Sequence, residues 1–321
     1  MAKQLPLEQA FIVSVWVEAA LYGFLLALFL VSLYINISLR HHQDVHSKIM
    51  FTACILLFAI ATVHVALGCF RLVQGFIVHV LDPGPIAFFS EISSWHHVFC
   101  DTLMVVQEMV GGCIAIYRTF VIWQRDWRII VLPVVLLVAG TVSGFFVIAL
   151  YTEQPTNATN IFDSKLSAWI STFFALAFLQ SLLATCLIGY HVWSTGHHMA
   201  KVRTEKSVLM PIARILIESA ALPMLVEILV LALYAADANA QYVLLGMIVP
   251  IVAITFNAIT IRIAWQASEA HASAGRSSEH RTIGAIPMRP ITISIRQTVE
   301  AHGGDTRSDG EPHLDAKAPA D

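Results

Sequence analysis

Six ionisable side chains lie inside long apolar stretches of this sequence, where they could bind a ligand or carry charge. They are Glu18, His64, Arg71, Asp101, Glu108 and Glu227. A charge at bilayer depth costs about 3 kcal/mol or more, so such residues normally face protein, water or a ligand. We therefore predict that the six side chains surround one cavity that binds a small ligand. Because four of them are acids, that cavity should be net acidic and prefer cationic or hydrogen-bond-donating ligands.

A structural role is the alternative for these residues. Arg71 could pair with Glu18 or Asp101, since interhelical polar contacts hold membrane helices together at about 0.6 kcal/mol each. For His64 a satisfied position in the protein core is the favoured interpretation. His97 and Asp101 are spaced i, i+4 and could share an ion, but the sequence assures no third ligand, so no metal site is predicted.

Two of the acids belong to a stripe that runs through the segment 97–123. At spacings of three and four, which define one helical face, the sequence places Asp101, Met104, Glu108, Gly111, Ala115 and Arg118. We predict that this stripe faces protein and that the other helices pack around it. The flanking faces should suit lipid, since they carry Val105, Val106, Val110, Ile114, Ile116 and Val121.

Four residues nearer the other membrane face could form a conformational switch: Tyr117, Arg118, Arg214 and Glu218. Arg214 and Glu218 are spaced i, i+4 and can pair within one helix, whereas Arg118 could pair with Glu218 across helices. Two exclusive pairings would give the two-state latch that a signalling receptor needs. The alternative is that Arg118 extends to the lipid headgroups along its apolar stem.

The composition predicts that membrane-spanning helices position these residues. The chain has 321 residues, of which 57% are hydrophobic and 13% charged, whereas soluble domains carry about 25% charged residues. Crossing a bilayer takes about 20 residues, and seven apolar runs are long enough: Phe11–Ile35, Ile49–Phe76, His97–Trp123, Ile129–Tyr151, Leu166–Trp193, Val208–Ala235 and Tyr242–Trp265. We predict an all-α membrane protein, with a seven-transmembrane-helix bundle over 1–266 and a disordered cytoplasmic tail over 267–321.

The distribution of lysine and arginine predicts the orientation. These residues concentrate in the connections after the first, third and fifth runs and in the tail. The positive-inside rule therefore places the N-terminus outside and the tail in the cytoplasm. Asn157 begins a glycosylation sequon in a connection that this topology puts outside. The expected location is the plasma membrane.

Several classes of membrane protein do not fit the sequence. The seventh run has no lysine for a retinal Schiff base and no histidine for the zinc site of seven-span hydrolases. The largest class of G-protein-coupled receptors has an acid before the arginine of its third span, where this chain has Tyr117. No nucleophile with an adjacent base is apparent, so we expect neither an enzyme nor a cofactor.

Four stretches of the chain form a further pattern. They are ATVHVALGCFRLVQGF (61–76), IYRTFVIWQRDWRIIVLPVVLL (116–137), RILIESAALPMLVEILVLALYAADANAQYVL (214–244) and IRIAW (261–265). Together they resemble a large family of seven-span membrane proteins of mushroom-forming basidiomycete fungi, over nearly all of 10–266. The resemblance implies a receptor-like protein in which Arg118 and Glu218 occupy family positions. Pro223 stands where the family usually has a tyrosine.

These features predict a receptor-like sensor of a small extracellular ligand, resembling a G-protein-coupled receptor. The receptor inference is an analogy at the level of fold. The alternative is a proton- or cation-linked transporter or channel that uses the buried carboxylates. The expected partners are the lipid bilayer, a small-molecule ligand and a cytoplasmic signalling protein, and not nucleic acid.

Overall fold

The structure is a computed structural model that describes residues 6–38, 45–79, 81, 84–153, 164–200, 209–236 and 238–279. Side chains at 45, 153, 164, 192, 196–200, 209–217 and 266–279 lie outside this description. The described helices are α1 (Leu7–Ser38), α2 (Val45–Val73), α3 (Pro85–Ser90), α4 (Trp95–Ile122), α5 (Trp127–Glu153), α6 (Ser164–Ala200), α7 (Leu209–Ala235) and α8 (Gln241–Glu279). All except the short α3 are long and apolar enough to cross a membrane, which confirms the predicted seven-helix membrane fold.

The chain separates into two compact units, Met1–Ala272 and Ser273–Asp321. The first unit holds all seven membrane-spanning stretches. Of the second unit, the structure describes only the end of α8, residues 273–279. The last helix therefore continues beyond the predicted end of the seventh run at Trp265.

A compact connection between α2 and α4 was not predicted from the sequence. α2 continues as one turn of π-helix, Gln74–Val78, which ends where the His79 amide donates to the Gln74 carbonyl at 3.0 Å. Gly84 has a φ of +91°, a conformation that favours glycine, and Pro85 then begins α3. The Phe89 ring of α3 stacks on Phe11 of α1, with ring centroids 4.7 Å apart. The connection thus folds back onto the end of the bundle at which α1 begins, which we call the N-end.

The most buried span is α8 rather than α4. In α8, 67% of an apolar window of 18 residues is buried within the protein. The corresponding share in α4 is 39%. Close contacts on two sides explain this burial. The Ser14 hydroxyl of α1 donates to the Tyr242 carbonyl at 2.9 Å, and Gln107 Nε2 of α4 donates to the Val249 carbonyl at 3.1 Å. The expectation that helices pack around α4 agrees with its contacts to α2, α5 and α6, but α8 is the more buried span.

The stripe on α4 faces the interior, as predicted. Gly111 and Arg118 are buried, and the other stripe residues line internal cavities. The flanking faces were expected to contact lipid, and this expectation is wrong for Val105, Ile114 and Ile116, whose exposures are only 3%, 7% and 8%. Helices pack on both sides of the stripe, because α4 contacts α2 on one side and α5 and α6 on the other.

Candidate functional site: two cavities along α4

Two cavities lie along the inward face of α4. The N-end cavity has an empty volume of about 1020 Å³, including its open part, and its lining includes Glu18, His64, Arg71, His97, Asp101 and Gln241. The mid-helix cavity has an empty volume of about 950 Å³ on the same measure, and its lining includes Glu108, Arg118, Gln180, Ser181, Glu227 and Phe256. All seven spans contribute to the N-end cavity, whereas α4 to α8 form the mid-helix cavity.

The six predicted ligand-binding residues therefore do not surround one cavity. Glu18, His64, Arg71 and Asp101 line the N-end cavity, whereas Glu108 and Glu227 line the mid-helix cavity. The prediction failed because it placed all the acids at a similar depth. Asp101 and Glu108 are two helical turns apart, which is about 10 Å along the helix axis. This distance leaves room for side chains that separate two cavities. The apolar side chains of Val105 and Phe173 line both cavities.

Glu18 and His64 form a buried pair in the N-end cavity. Glu18 is 2% exposed and His64 is 9% exposed. His64 Nδ1 donates to Glu18 Oε1 at 2.5 Å, so the pair joins α1 to α2. The interpretation of His64 as a satisfied core residue agrees with this geometry. Each group gives the other a hydrogen-bond partner, which a buried polar group requires.

Arg71 is a cation of the N-end cavity that forms no ion pair among the described residues, although the Cys100 thiol is a hydrogen-bonding neighbour. It is 9% exposed, its guanidinium lies 5.3 Å from the centroid of the Phe11 ring, and its Nε has no hydrogen-bond partner among the described residues. The described ion pairs are Glu18 with His64 and His97 with Asp101, so the expected structural pairing of Arg71 with Glu18 or Asp101 is absent from this part of the chain.

Unsatisfied polar atoms surround Arg71 on the cavity wall. His97 Nε2 lies 3.9 Å from Asp101 Oδ2, too far for a hydrogen bond, and neither ring nitrogen of His97 has a partner in the described chain. Gln241 is 1% exposed, and both of its amide atoms also lack a described partner. Sequence analysis missed Gln241, although a glutamine at the start of an apolar run was a usable signal. A ligand here can both donate and accept hydrogen bonds.

The mid-helix cavity contains two carboxyls from different helices. Glu227 of α7 is 2% exposed, and its Oε2 has no hydrogen-bond partner among the described atoms. Glu108 Oε1 of α4 is likewise buried without one. The two groups are close enough to interact electrostatically, and the Ser181 hydroxyl of α6 is a hydrogen-bonding neighbour of Glu227.

Two donors complete the polar lining of the mid-helix cavity. Gln180 is 6% exposed, and its Nε2 has no described partner. Sequence analysis missed it, although it is a polar residue in the middle of the fifth apolar run. Arg118 is 7% exposed, with Nε unpartnered in the described chain and its guanidinium 5.8 Å from the Phe256 ring centroid. Arg118 follows Glu108 by ten residues, or about 15 Å along α4, so it does not neutralise the carboxyls directly.

The predicted net acidic cavity thus separates into two sites of different charge balance. In the N-end cavity, two acids stand beside the arginine Arg71 and the histidine that binds Glu18. In the mid-helix cavity, the two carboxyls face each other with their nearest cation at a distance. The expected preference for cationic or hydrogen-bond-donating ligands therefore stays a prediction for the mid-helix cavity, whereas the N-end cavity presents groups of both charge signs.

The four predicted switch residues are not brought together. The Tyr117 hydroxyl and His46 Nδ1 share a hydrogen bond of 3.2 Å, which ties α4 to α2. Arg118 is buried in the mid-helix cavity, and Glu218 is exposed and forms no ion pair with it. Neither the pairing of Arg118 with Glu218 nor the headgroup contact of Arg118 is present among the described residues, because α4 turns this side chain inward. The two-state latch stays a prediction, since its other pairing, Arg214 with Glu218, involves a side chain that is not described. The Arg214 side chain and Asn157 lie outside the described residues.

Comparisons with protein-family models, with curated proteins and with solved structures give no match for this chain. Any functional assignment therefore depends on the geometry of the two cavities.

Proposed function

We propose that this protein is a receptor-like membrane sensor whose small ligand binds in the N-end cavity. One observation supports the proposal above all others. The cavity is lined by all seven spans and contains buried polar atoms, on Arg71, His97 and Gln241, for which the described residues provide no hydrogen-bond partner. A ligand that contacts every helix can favour one arrangement of the bundle over another, as long as it binds the two arrangements with different affinity.

The lining indicates the chemical class of this ligand. Arg71 offers donors that suit a carboxylate or another acceptor, and Asp101 offers acceptors that suit an ammonium or hydroxyl group. Gln241 can serve either kind of group. We propose a small polar molecule that carries both an accepting and a donating end, for example a zwitterion, because the cavity presents both signs of charge.

The helix α4 provides a route from this cavity to the opposite end of the bundle. Asp101 lies in the N-end cavity and Arg118 in the mid-helix cavity. Beyond them, Trp123 Nε1 donates to the Leu187 carbonyl of α6 at 3.2 Å. In the proposed orientation this end faces the cytoplasm, where a signalling protein would contact the basic connections. The resemblance to the fungal seven-span family agrees with the proposal at the level of fold.

The test is ligand-dependent nucleotide exchange on a co-expressed heterotrimeric G protein, screened with a panel of small zwitterions, amines and carboxylates. We expect a response that Arg71→Gln and Asp101→Asn each reduce at least tenfold. The matched control is Trp16→Phe, because Trp16 is 72% exposed and does not line the N-end cavity. Silence across the panel, with normal surface expression of the chain, would contradict the receptor proposal.

A transporter or channel is the second candidate, and one observation favours it. Val105 and Phe173 line both cavities, so the cavities lie in series and could become a continuous path when those side chains move. Proton- or cation-driven flux into vesicles that contain the purified chain would support transport. Glu108→Gln should then abolish the flux, whereas Asp126→Asn, on the exposed turn between α4 and α5, should leave it unchanged.

A further inference from the structure

We propose that the mid-helix cavity is a second and separate binding site, specific for a small primary ammonium ion with an apolar body. The starting observation is a set of buried polar atoms that the protein itself does not satisfy. Glu108 Oε1 and Glu227 Oε2 face one cavity from two different helices, and each lacks a hydrogen-bond partner among the described residues. An unsatisfied buried carboxyl is destabilising, so a bound donor at this position would stabilise the bundle.

The number and type of acceptors fit an ammonium head group. A primary ammonium ion has three N–H donors and no acceptor. Glu108, Glu227 and the Ser181 hydroxyl supply three acceptors from α4, α7 and α6. One of the two carboxyls, when ionised, would compensate the charge of the ammonium ion, which is necessary for a cation away from water.

An inorganic divalent cation fits the same site less well. Calcium takes about six to eight oxygen ligands, and magnesium requires a near-octahedral set with several retained waters. The remaining polar atoms of the cavity without described partners are Gln180 Nε2 and Arg118 Nε, which are N–H donors and cannot complete the oxygen coordination of a metal ion. The cavity also extends well beyond the two carboxyls, as far as Leu137, Phe256 and Ile259, whereas a single ion would occupy only the space beside the carboxyls.

The rest of the cavity fits an apolar body. Its walls include Leu137, Val252, Phe256 and Ile259, and α4 contributes Gly111. A Cβ at Gly111 would lie 3.1 Å from Val252 Cγ1 and 3.2 Å from Phe256 Cε2, so the glycine lets α4 and α8 approach closely beside this space. Concave sites with apolar walls and a few convergent polar groups are typical of small-molecule binding.

This inference goes beyond the receptor proposal and does not depend on it. The N-end cavity shares none of the three ammonium acceptors with the mid-helix cavity. Binding of an amine to the mid-helix cavity can therefore succeed or fail whether or not the chain activates a G protein.

The experiment measures thermal unfolding of the purified full chain in detergent with three matched probes. Hexylammonium, hexanol and hexanoate have the same apolar body and differ only in the head group. We expect hexylammonium to raise the melting temperature saturably, by about 5 °C at concentrations far above its dissociation constant. Hexanol and hexanoate should have little effect.

The variants test whether the effect belongs to this cavity. Glu227→Gln and Glu108→Gln should each weaken hexylammonium binding at least tenfold. Ser181→Ala removes only a neutral acceptor and should weaken it about threefold to tenfold. Asp126→Asn is the matched control, because it removes one carboxylate from an exposed turn while asparagine can still cap α5.

Three results would overturn the proposal. The first is an equal shift with hexanol, which would indicate an apolar effect of the probe. The second is an unchanged hexylammonium shift in folded Glu227→Gln and Ser181→Ala, which would place the probe elsewhere. The third is the same shift with sodium or potassium chloride alone, which would indicate a site for an inorganic cation.

Discussion

Glu18 in the N-end cavity and Glu227 in the mid-helix cavity are equally buried, at 2% exposure each, yet their surroundings differ. Glu18 accepts a hydrogen bond from His64, whereas one carboxyl oxygen of Glu227 has no partner in the described chain. Burial alone therefore does not distinguish a carboxyl that holds two helices together from one that is available to a ligand. The distinction depends on whether another side chain satisfies it.

The two carboxyls should also contribute to stability with opposite signs. Removing one member of a buried, hydrogen-bonded pair leaves the other uncompensated and typically costs about 3–5 kcal/mol. Removing a buried charge whose hydrogen-bonding neighbour is only a hydroxyl, as Ser181 is for Glu227, relieves a desolvation penalty instead. The same difference predicts that a bound donor stabilises the mid-helix cavity more than it stabilises the Glu18–His64 pair, because only a group that lacks a partner can gain one.

The largest expected effect comes from breaking the Glu18–His64 pair. Glu18→Ala and His64→Ala should each lower the free energy of unfolding in mild detergent by about 3 kcal/mol, because each leaves a buried polar group alone. The double variant should cost little more than either single variant, since the pair is already broken. Additive losses in this double-mutant cycle would show that the two side chains do not act as a pair.

An intermediate effect should come from the packing of α8 near the N-end cavity. A Cβ at Gly246 would collide with the Ser14 hydroxyl, which donates to the Tyr242 carbonyl. Gly246→Ala should therefore lower the free energy of unfolding by about 2 kcal/mol, as overpacking commonly does.

Gly23→Ala is the matched control for that substitution. Gly23 also lies inside a spanning helix, but no atom lies within 4 Å of the added Cβ. Alanine there should leave stability unchanged or raise it by up to about 1 kcal/mol, because glycine is the poorer helix former. Equal losses from the two substitutions would contradict the close approach of α1 and α8.

The smallest effect should come from the contact between Arg118 and Phe256 in the mid-helix cavity. Phe256→Leu keeps an apolar side chain but removes the ring that lies 5.8 Å from the guanidinium. The expected loss of stability is about 0.5–1 kcal/mol. Thermal unfolding of this variant, of Arg118→Met and of the double variant would measure the coupling, because methionine removes the cation. A coupling of zero would indicate that the ring and the cation are independent.

Much of the fold could be predicted from the sequence. Seven apolar runs of sufficient length gave the seven spans, and the spacing of Asp101 to Arg118 gave the inward face of α4. Both predictions work because lipid excludes charge over the whole length of a span. The short α3 and the π-helical turn were missed, since they depend on local contacts such as Phe89 with Phe11.

The candidate site was predicted only in part. The acids were identified correctly as facing the interior, but residue depth along one helix does not show where a side chain of another helix closes a cavity. Val105 and Phe173 determine the separation into two cavities, and nothing in their apolar character distinguishes them from residues that face lipid. The high burial of α8 was missed for a similar reason, because it depends on tertiary contacts such as that between Gly246 of α8 and Ser14 of α1.

The most direct test of the difference between the two cavities is a paired measurement of Glu18→Gln and Glu227→Gln without added ligand. Both substitutions remove one carboxyl charge and keep the shape of the side chain. Thermal unfolding of the purified full chain should show that Glu18→Gln lowers the stability by about 2 kcal/mol, through loss of a charge-assisted hydrogen bond. Glu227→Gln should leave the stability unchanged or raise it. An equal loss in both variants would contradict the account, because it would mean that Glu227 is satisfied by the protein as fully as Glu18.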